Sequence, residues 1–406
     1  MGKWITRPAG CAAVVLAGCM LLAVAPALAV TPGQVSWTAE GVAALRAIAA
    51  QDPDPKIRCP DHLAEKFVTA DFWRYSPYAP DYDTAMKVVR AYKVGTYYFL
   101  NARTHFIDDI LVRMAEDGLT QAVSLGAGLD TRAYRFSRRY PKIRFFELDL
   151  PGNSALKQEM VRAHLGKLPD RVVFIAVDPE ADRLDSVLRN TGYDETQPTL
   201  FFWTGATYHL SAAAVEATLD VVARHAAAGS RIVFDYIPEA MLADDASRRA
   251  RFRLALAGEP LIFGIPEEGV AAYLAPCGLS VVSDLGWRQL QQQYLVGRDG
   301  TADGTPSPLY RVAVAEVGSR TAEPAKLDTT AKQKSDDPVP GSLSGTWTGR
   351  DSLGGRLLFR FSPGGESTAQ RTGGRDPRPK EGTDSRAGSR IEGRMGDIIF
   401  FAAQRK

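Results

Sequence analysis

Gly126 and Gly128 stand in "AVSLGAGLDTRAYRF", where a short apolar run gives way to a loop. Glycine tolerates unusual φ angles and bares its backbone. A strand that ends this way and leads into a helix is how doubly wound sheets receive a nucleotide-like ligand. The dinucleotide fingerprint needs a third glycine near the position of Thr131, which Asp130 precedes, so a pyrophosphate is a poor guest. A glycine pair alone is a weak signal, and a plain tight turn accounts for it equally well. The next apolar run, "RFFELDLP", brings Glu147 and Asp149 to its carboxyl end. An acid about twenty residues past the glycines can accept the hydroxyls of a ribose. A solvated loop acid, or a cap on "PGNSALKQEM", is the bland alternative for Asp149. A third run, "RVVFIAVDP", ends in Asp178. Glycines and two acids at successive strand exits describe one crevice, the place where open α/β sheets bind ligands.

To gather these residues the chain must alternate strands with helices. Short apolar runs recur at Ala122–Leu125, Ile143–Leu148, Val172–Val177, Thr199–Trp203, Arg231–Tyr236, Leu279–Asp284 and Tyr310–Glu316. Segments of helical periodicity separate most of them, and "SAAAVEATLDVVARHAAAG" offers Ser211 as a cap and Gly229 as a stop. The pattern predicts an α/β fold over residues 119–318, a doubly wound, mostly parallel, seven-stranded Rossmann-like sheet. Its last two runs, joined without an evident crossover helix, are expected to pair as an antiparallel hairpin at the edge. Residues 30–118 read as an N-terminal helical cap. "AEGVAALRAIAAQ" and "DTAMKVVRAYKVGTYYFLNARTHFIDDILVRMAED" carry apolar residues at helical spacing, with "RYSPYAPDY" a proline-rich loop between them. Residues 319–344 read as a linker, and 345–406 as a small β-rich or partly disordered extension. There "GTWTGRDSLGGRLLFRFS" and "DIIFFAAQ" are strand-like, Trp347 fits the core of a hairpin, and the intervening Gly-, Arg-, Ser- and Pro-rich stretch is expected to be mobile.

Lys3 and Arg7 precede twenty apolar residues that end in Ala27-Leu28-Ala29, the arrangement of an export signal over residues 1–29. This predicts a secreted or cell-envelope protein. A lipoprotein box at "LAGC" or an uncleaved anchor would tie it to a membrane through that segment alone, and a misplaced start codon would leave it in the cytoplasm. The formal charge of +2 argues against a nucleic-acid partner. The four cysteines show no metal-ligand spacing, and Cys59 and Cys277 read as buried free thiols rather than a bridge.

Several stretches together, "SLGAGLDTRAYRF", "FFELDLPGNSALKQEM", "FIAVD", "FFWTGATYHLSAAAVEATLDVVARHAAAGSRIVFDYI" and "GEPLIFGI", resemble the leucine carboxyl methyltransferase-like family. These are class I methyltransferases that use S-adenosylmethionine (SAM). The similarity runs in matching order from Cys59 to Glu316, and neither the leader nor the tail belongs to it. The resemblance implies that Arg103, in "NARTHFIDDIL", meets the carboxylate of SAM. It implies that Gly126 and Gly128 face the adenosyl group and methionine backbone, and that Asp149 holds the ribose hydroxyls. Asp178 matches an acid beside the adenine, with Pro179 in place of the leucine that follows it; Thr204 stands where a glutamate is often found. Both departures bear on cofactor affinity at that edge.

Plainer readings stand beside these. Arg103 would by default pair with Asp108 or Asp109 on its own helix face. Asp130 and Arg132 either lock the loop as an ion pair or contact the ligand. Tyr208 and His209, after the fourth strand, are the candidates for a catalytic base, although a lone histidine is more often packed than catalytic. A carboxylate acceptor needs no base, because it is already ionised at neutral pH. The absence of an evident base–nucleophile pair therefore points to carboxyl O-methylation of a small molecule or peptide. The competing expectations are an exported, non-catalytic binding protein that keeps the fold, and a nicotinamide dehydrogenase, which the missing third glycine disfavours. The N-terminal helices and "PEAMLADDASRRARFRLALAGEPLIFGI" are expected to form a lid over the acceptor.

Overall fold

The computed structural model describes residues 36–178, 182–256, 259–266 and 268–318 and, in the extension, 345–350, 356–361, 366–372 and 390–394. The leader, the linker, Pro179 and the run "DIIFFAAQ" lie outside the described residues.

Seven strands form the central sheet: β1 (Gln121–Leu125), β2 (Arg144–Asp149), β3 (Val172–Ala176), β4 (Thr199–Trp203), β5 (Arg231–Tyr236), β6 (Leu279–Leu285) and β7 (Arg311–Val317). Their order is β3-β2-β1-β4-β5-β7-β6. Neighbours from β3 to β5 pair in parallel, while β7 runs antiparallel to both β5 and β6. The antiparallel ending matches the expectation from the sequence, with one difference in the connection. A helix, Trp287–Tyr294, joins β6 to β7. In "WRQLQQQY" only Leu290 is buried, so the glutamine-rich segment carries little apolar periodicity to betray it.

Twelve α-helices are described: α1 (Trp37–Ala49), α2 (Ala70–Tyr75), α3 (Tyr82–Ala91), α4 (Gly95–Glu116), α5 (Arg132–Phe136), α6 (Pro151–Leu165), α7 (Leu184–Arg189), α8 (Ala212–His225), α9 (Glu239–Ala243), α10 (Asp245–Leu256), α11 (Gly269–Leu274) and α12 (Trp287–Tyr294). Ser36, Thr69, Asp81 and Ser211 cap α1, α2, α3 and α8 by accepting from a backbone N–H three residues on. Each such cap contributes about 1 kcal/mol. Lys93, at φ 49°, breaks the chain between α3 and α4. Gly229 (φ 80°) lies beyond the end of α8 and turns the chain into β5.

Alternation along the strands assigns side chains to two cores. Phe145, Leu200, Phe202 and Val233 share one hydrophobic cluster with Ala43, Ala44 and Ile48 of α1 and Ile107 of α4. Phe146, Phe201, Trp203 and Phe234 share the other with Val215, Leu219 and Val222 of α8. Each of these buried aromatic side chains contributes about 1.5–3 kcal/mol of transfer free energy. The helical cap thus builds one face of the sheet's core. Gly95 permits one close contact. A Cβ there would lie 2.9 Å from the Ser307 backbone, so a larger residue would displace the segment before β7 from the start of α4, where the Ser307 N–H donates to the Gly95 carbonyl at 2.9 Å.

The extension forms a separate antiparallel sheet, ordered β11-β10-β9-β8, from β8 (Gly345–Arg350), β9 (Arg356–Phe361), β10 (Glu366–Thr372) and β11 (Arg390–Arg394). Trp347 stands opposite Phe359 in the β8–β9 ladder. The last two strands fall within the stretch expected to be mobile, where the sequence shows few apolar residues.

Candidate cofactor site

At the exit of β1, Gly126 (φ 68°) and Gly128 (φ 43°) both adopt left-handed backbone conformations. Gly128 has open space where a side chain would start. Its N–H donates to Asp149 Oδ2 at 2.6 Å. Asp149 Oδ1 accepts from the Leu150 N–H at 2.7 Å and from Asn153 Nδ2 at 2.9 Å. A carboxylate offers about four acceptor positions, so these three donors leave capacity for about one ribose hydroxyl rather than two. Asp149 therefore does local structural work and keeps room for a ligand. The β2–β3 ladder brings Val177 N–H to Asp149 O at 2.8 Å, and half-buried Asp178 follows at that edge. The Asp178 N–H donates to Asp182 Oδ2 at 2.8 Å.

Asp130 lies in the same loop, with its carboxylate turned to Arg132. It accepts from the Arg132 N–H at 2.7 Å and pairs with Arg132 Nη1. Arg132 Nε and both terminal nitrogens of Arg135 reach Asp108. Thr131 donates to Asp61, which also pairs with Arg46 at 2.8 Å, and Arg46 Nη2 donates to Leu129 O at 2.7 Å. Three arginines and three aspartates thus balance in a buried network tying α1, α4 and α5 to the glycine loop. Burial works to raise the Asp130 carboxyl, yet Arg132, with Arg46 and Lys157, holds it well below the usual carboxylate range. Asp61 is likewise held low, against burial, by Arg135, Arg46 and Thr131. In this geometry Asp130 locks the loop.

The other end of the crevice is built at the exits of β4 and β5. Arg103, from the middle of α4, donates through Nη1 to Asp235 Oδ2 at 2.5 Å. Gly205 N–H donates to Asp235 Oδ1 at 2.7 Å, and Thr207 Oγ1 donates to the Asp235 carbonyl at 2.7 Å. Asp235 is completely buried. The same-helix pairing expected for Arg103 is absent, since Asp108 takes Arg132 and Arg135 while Asp109 accepts from the Tyr294 hydroxyl at 3.0 Å. Arg103 Nε is buried and has no partner among the described residues. Phe99 lies 5.7 Å from its guanidinium carbon and stacks on Tyr310 at 4.9 Å. Half-buried Thr204 follows β4, and Tyr208 and His209 form the short turn Thr207–His209. Their rings are 4.8 Å apart, and the Tyr208 ring is 5.5 Å from that of Tyr310. From the segment after β5, the Ile262 N–H returns to the Tyr208 carbonyl at 2.8 Å.

The two ends meet: a Cβ on Gly126 would lie 3.5 Å from that of Ala206, just past β4. Gly126, Gly128 and Asp149 are joined by direct bonds or chain, and Asp178 follows the adjacent strand. Sequence reasoning singled out none of Asp235, Lys157 and Asp61. For Asp235 a signal was present, a single acid inside the apolar run "RIVFDYI" of an interior strand. Cys59 and Cys277 are both free thiols, as read from the sequence, but only Cys59 is buried and Cys277 is half-buried. Burial and neighbouring Asp61 push the Cys59 thiol up to about 12. Among the described residues no group of three or more His, Cys, Asp or Glu is placed to hold a metal, and no helix is long and apolar enough to cross a membrane.

These residues suit an adenosyl donor that carries an amino-acid carboxylate. An unpaired buried guanidinium nitrogen asks for an anion, and bare glycine backbone beside an acid offers a seat for a ribose. The profile of the leucine carboxyl methyltransferase family matches residues 39–223. A protein of Streptomyces coelicolor that bears the name of an S-adenosyl-L-methionine-dependent methyltransferase is 35% identical over 210 residues, 50% of this chain and 69% of that one. One of the same description from Mycobacterium avium is 32% identical over 260 residues, 61% of this chain and 82% of that one. The solved structure of a DUF574 family protein from Streptomyces avermitilis aligns with a TM-score of 0.43 and 18% identity, covering 59% of this chain and 92% of that one. The chain belongs to the leucine carboxyl methyltransferase family and is a SAM-dependent methyltransferase.

Proposed function

We propose that the enzyme methylates a carboxylate oxygen of a small molecule or peptide. The observation that carries this reading is Asp235. It is completely buried, and its two oxygens accept from Arg103 and the Gly205 amide, so its role is to hold that guanidinium rather than to meet an acceptor. The position after β4 that is often glutamate in the family is Thr204. The acceptor side would then be lined by Tyr208, His209 and Tyr310. A carboxylate acceptor arrives ionised and needs no base, whereas a hydroxyl acceptor would call on His209 or Tyr208.

Bound SAM supplies a methyl group already activated on a sulfonium. The chain's task is then to hold donor and acceptor in line and to exclude water. Arg103 would bind the methionyl carboxylate through Nε, with Asp235 fixing the plane of the guanidinium. Gly126 and Gly128 would present backbone to the donor, Asp149 one ribose hydroxyl contact and Asp178 the adenine side, while Thr204 would stand at the methionyl end. Asp130 would act through the loop it locks. The helical cap and the segment after β5 would close over the acceptor.

The test is methyl transfer from labelled SAM to pooled carboxylic acid, alcohol and amine acceptors. Label that mild alkali releases as methanol marks an ester and supports the reading; alkali-stable label on alcohols or amines alone sinks it. We extend the proposal to location, with residues 1–29 as an export signal. N-terminal sequencing of protein from its source cells should then begin near Val30, and a start at Met1 would contradict it.

A further inference from the structure

Beneath the glycine loop lies an ion pair that cofactor contact does not use. Lys157 of α6 donates to Glu147 Oε1 at 2.8 Å, and the Tyr134 hydroxyl donates to Oε2 at 2.6 Å. Glu147 is 3% exposed and Lys157 2%. Burial raises the Glu147 carboxyl against the lowering pull of Lys157. Stability alone does not account for such a pair. Taking two ions out of water commonly costs as much as their attraction returns, and an apolar pair of similar volume is often as stable.

The same ammonium reaches the Ala127 carbonyl at 3.4 Å. That carbonyl is one end of the Ala127–Gly128 peptide unit, and the other end, the Gly128 N–H, is the group 2.6 Å from Asp149 Oδ2. The carbonyl also accepts from the Asp130 N–H at 2.9 Å, so one peptide plane is held from opposite sides, by a turn bond and a cation on its oxygen and by an anion on its N–H. Glycines flank Ala127 on both sides, at φ 68° and 43°, and glycine resists peptide rotation less than any other residue.

We propose that Lys157 is a positioning residue for the cofactor: with the Asp130 N–H it fixes the Ala127 carbonyl, and so keeps the Gly128 N–H turned to Asp149 and sets the backbone face that receives the adenosyl group. Glu147 compensates the buried charge of the ammonium, and Tyr134 holds the Glu147 carboxylate. The inference rests on the assignment of Gly128 and Asp149 to SAM under the proposed function.

The test pairs calorimetric titration of SAM into the full chain with thermal unfolding. E147L/K157M, which removes both charges, should unfold near the natural temperature yet bind SAM about tenfold more weakly, the usual size of a lost supporting contact. E147Q leaves the ammonium on Ala127 but poorly paired. It should lose stability while its SAM affinity stays within about threefold. A double variant that folds and binds as tightly as the natural protein overturns the proposal. So does E147Q if its affinity falls in step with its stability, and that variant decides alone should the double variant not fold. D149A separates the two readings. If it binds SAM normally, the cofactor site itself is misassigned; if it loses SAM while the double variant does not, only the role of Lys157 falls.

Discussion

At the exit of β1 and β2, Gly128, Leu150 and Asn153 all donate to Asp149, whereas at the exit of β4 and β5 Arg103 keeps a buried Nε with no partner among the described residues. The first end is bonded before any ligand arrives, and its carboxylate has about one acceptor position to spare. The second end keeps a spare donor, because Asp235 takes Nη1 of Arg103 and the Gly205 amide and leaves Nε unused. A preformed seat suits the neutral, rigid ribose. An unsatisfied guanidinium suits the anionic, flexible end of the donor, since its burial becomes favourable once a carboxylate arrives.

Substitutions at the two ends should therefore differ in kind. D235A strands a buried guanidinium, a loss of about 3–5 kcal/mol, and should abolish SAM binding. Urea unfolding with calorimetry checks both, and a stable D235A that binds SAM would erase the contrast. D149N keeps an acceptor oxygen for the loop, so its stability should fall by only about 1 kcal/mol while SAM affinity drops more steeply. Equal losses at both ends would mean that neither is specialised.

Acid should weaken the anchor of the first end. Asp61 and Asp130 have folded pKa values held below their unfolded ones, so their contribution is complete above about pH 4 and fades as pH falls through the folded values. Glu147, raised by burial, carries the opposite sign, adding stability at low pH that is lost as pH rises through its folded pKa. The urea midpoint of the natural protein should exceed that of D130N at about pH 6, and the gap should begin to narrow once pH falls below about 4. A gap that widens instead would contradict the network. The smallest effect concerns Cys59 beside that network. With its thiol at about 12, it should react with a disulfide reagent at neutral pH far more slowly than half-buried Cys277.

The strands of the central sheet were legible because each pairs an apolar run with a turn signal, whereas β10 and β11 carry no such run. Thr199–Trp203 and Arg231–Tyr236 have the same limits in the structure as in the sequence. Gly128, Asp149 and Asp178 were legible for the same reason, since strand exits are local features. The partners of Arg103 were not. Asp235 lies 132 residues away, and no periodicity encodes which acid a helix residue meets across a sheet. Lys157 was hidden in a similar way, as an ordinary lysine on a helix that packing turns inward to Glu147. The helix joining β6 to β7 escaped because glutamines surround its one buried residue.

The most direct measurement is a crystal structure with S-adenosylhomocysteine. The account predicts its carboxylate on Arg103 Nε, its ribose on the remaining acceptor position of Asp149, and its adenine near Asp178. Product bound elsewhere, or a ligand carboxylate that leaves Arg103 Nε unpaired, would contradict it.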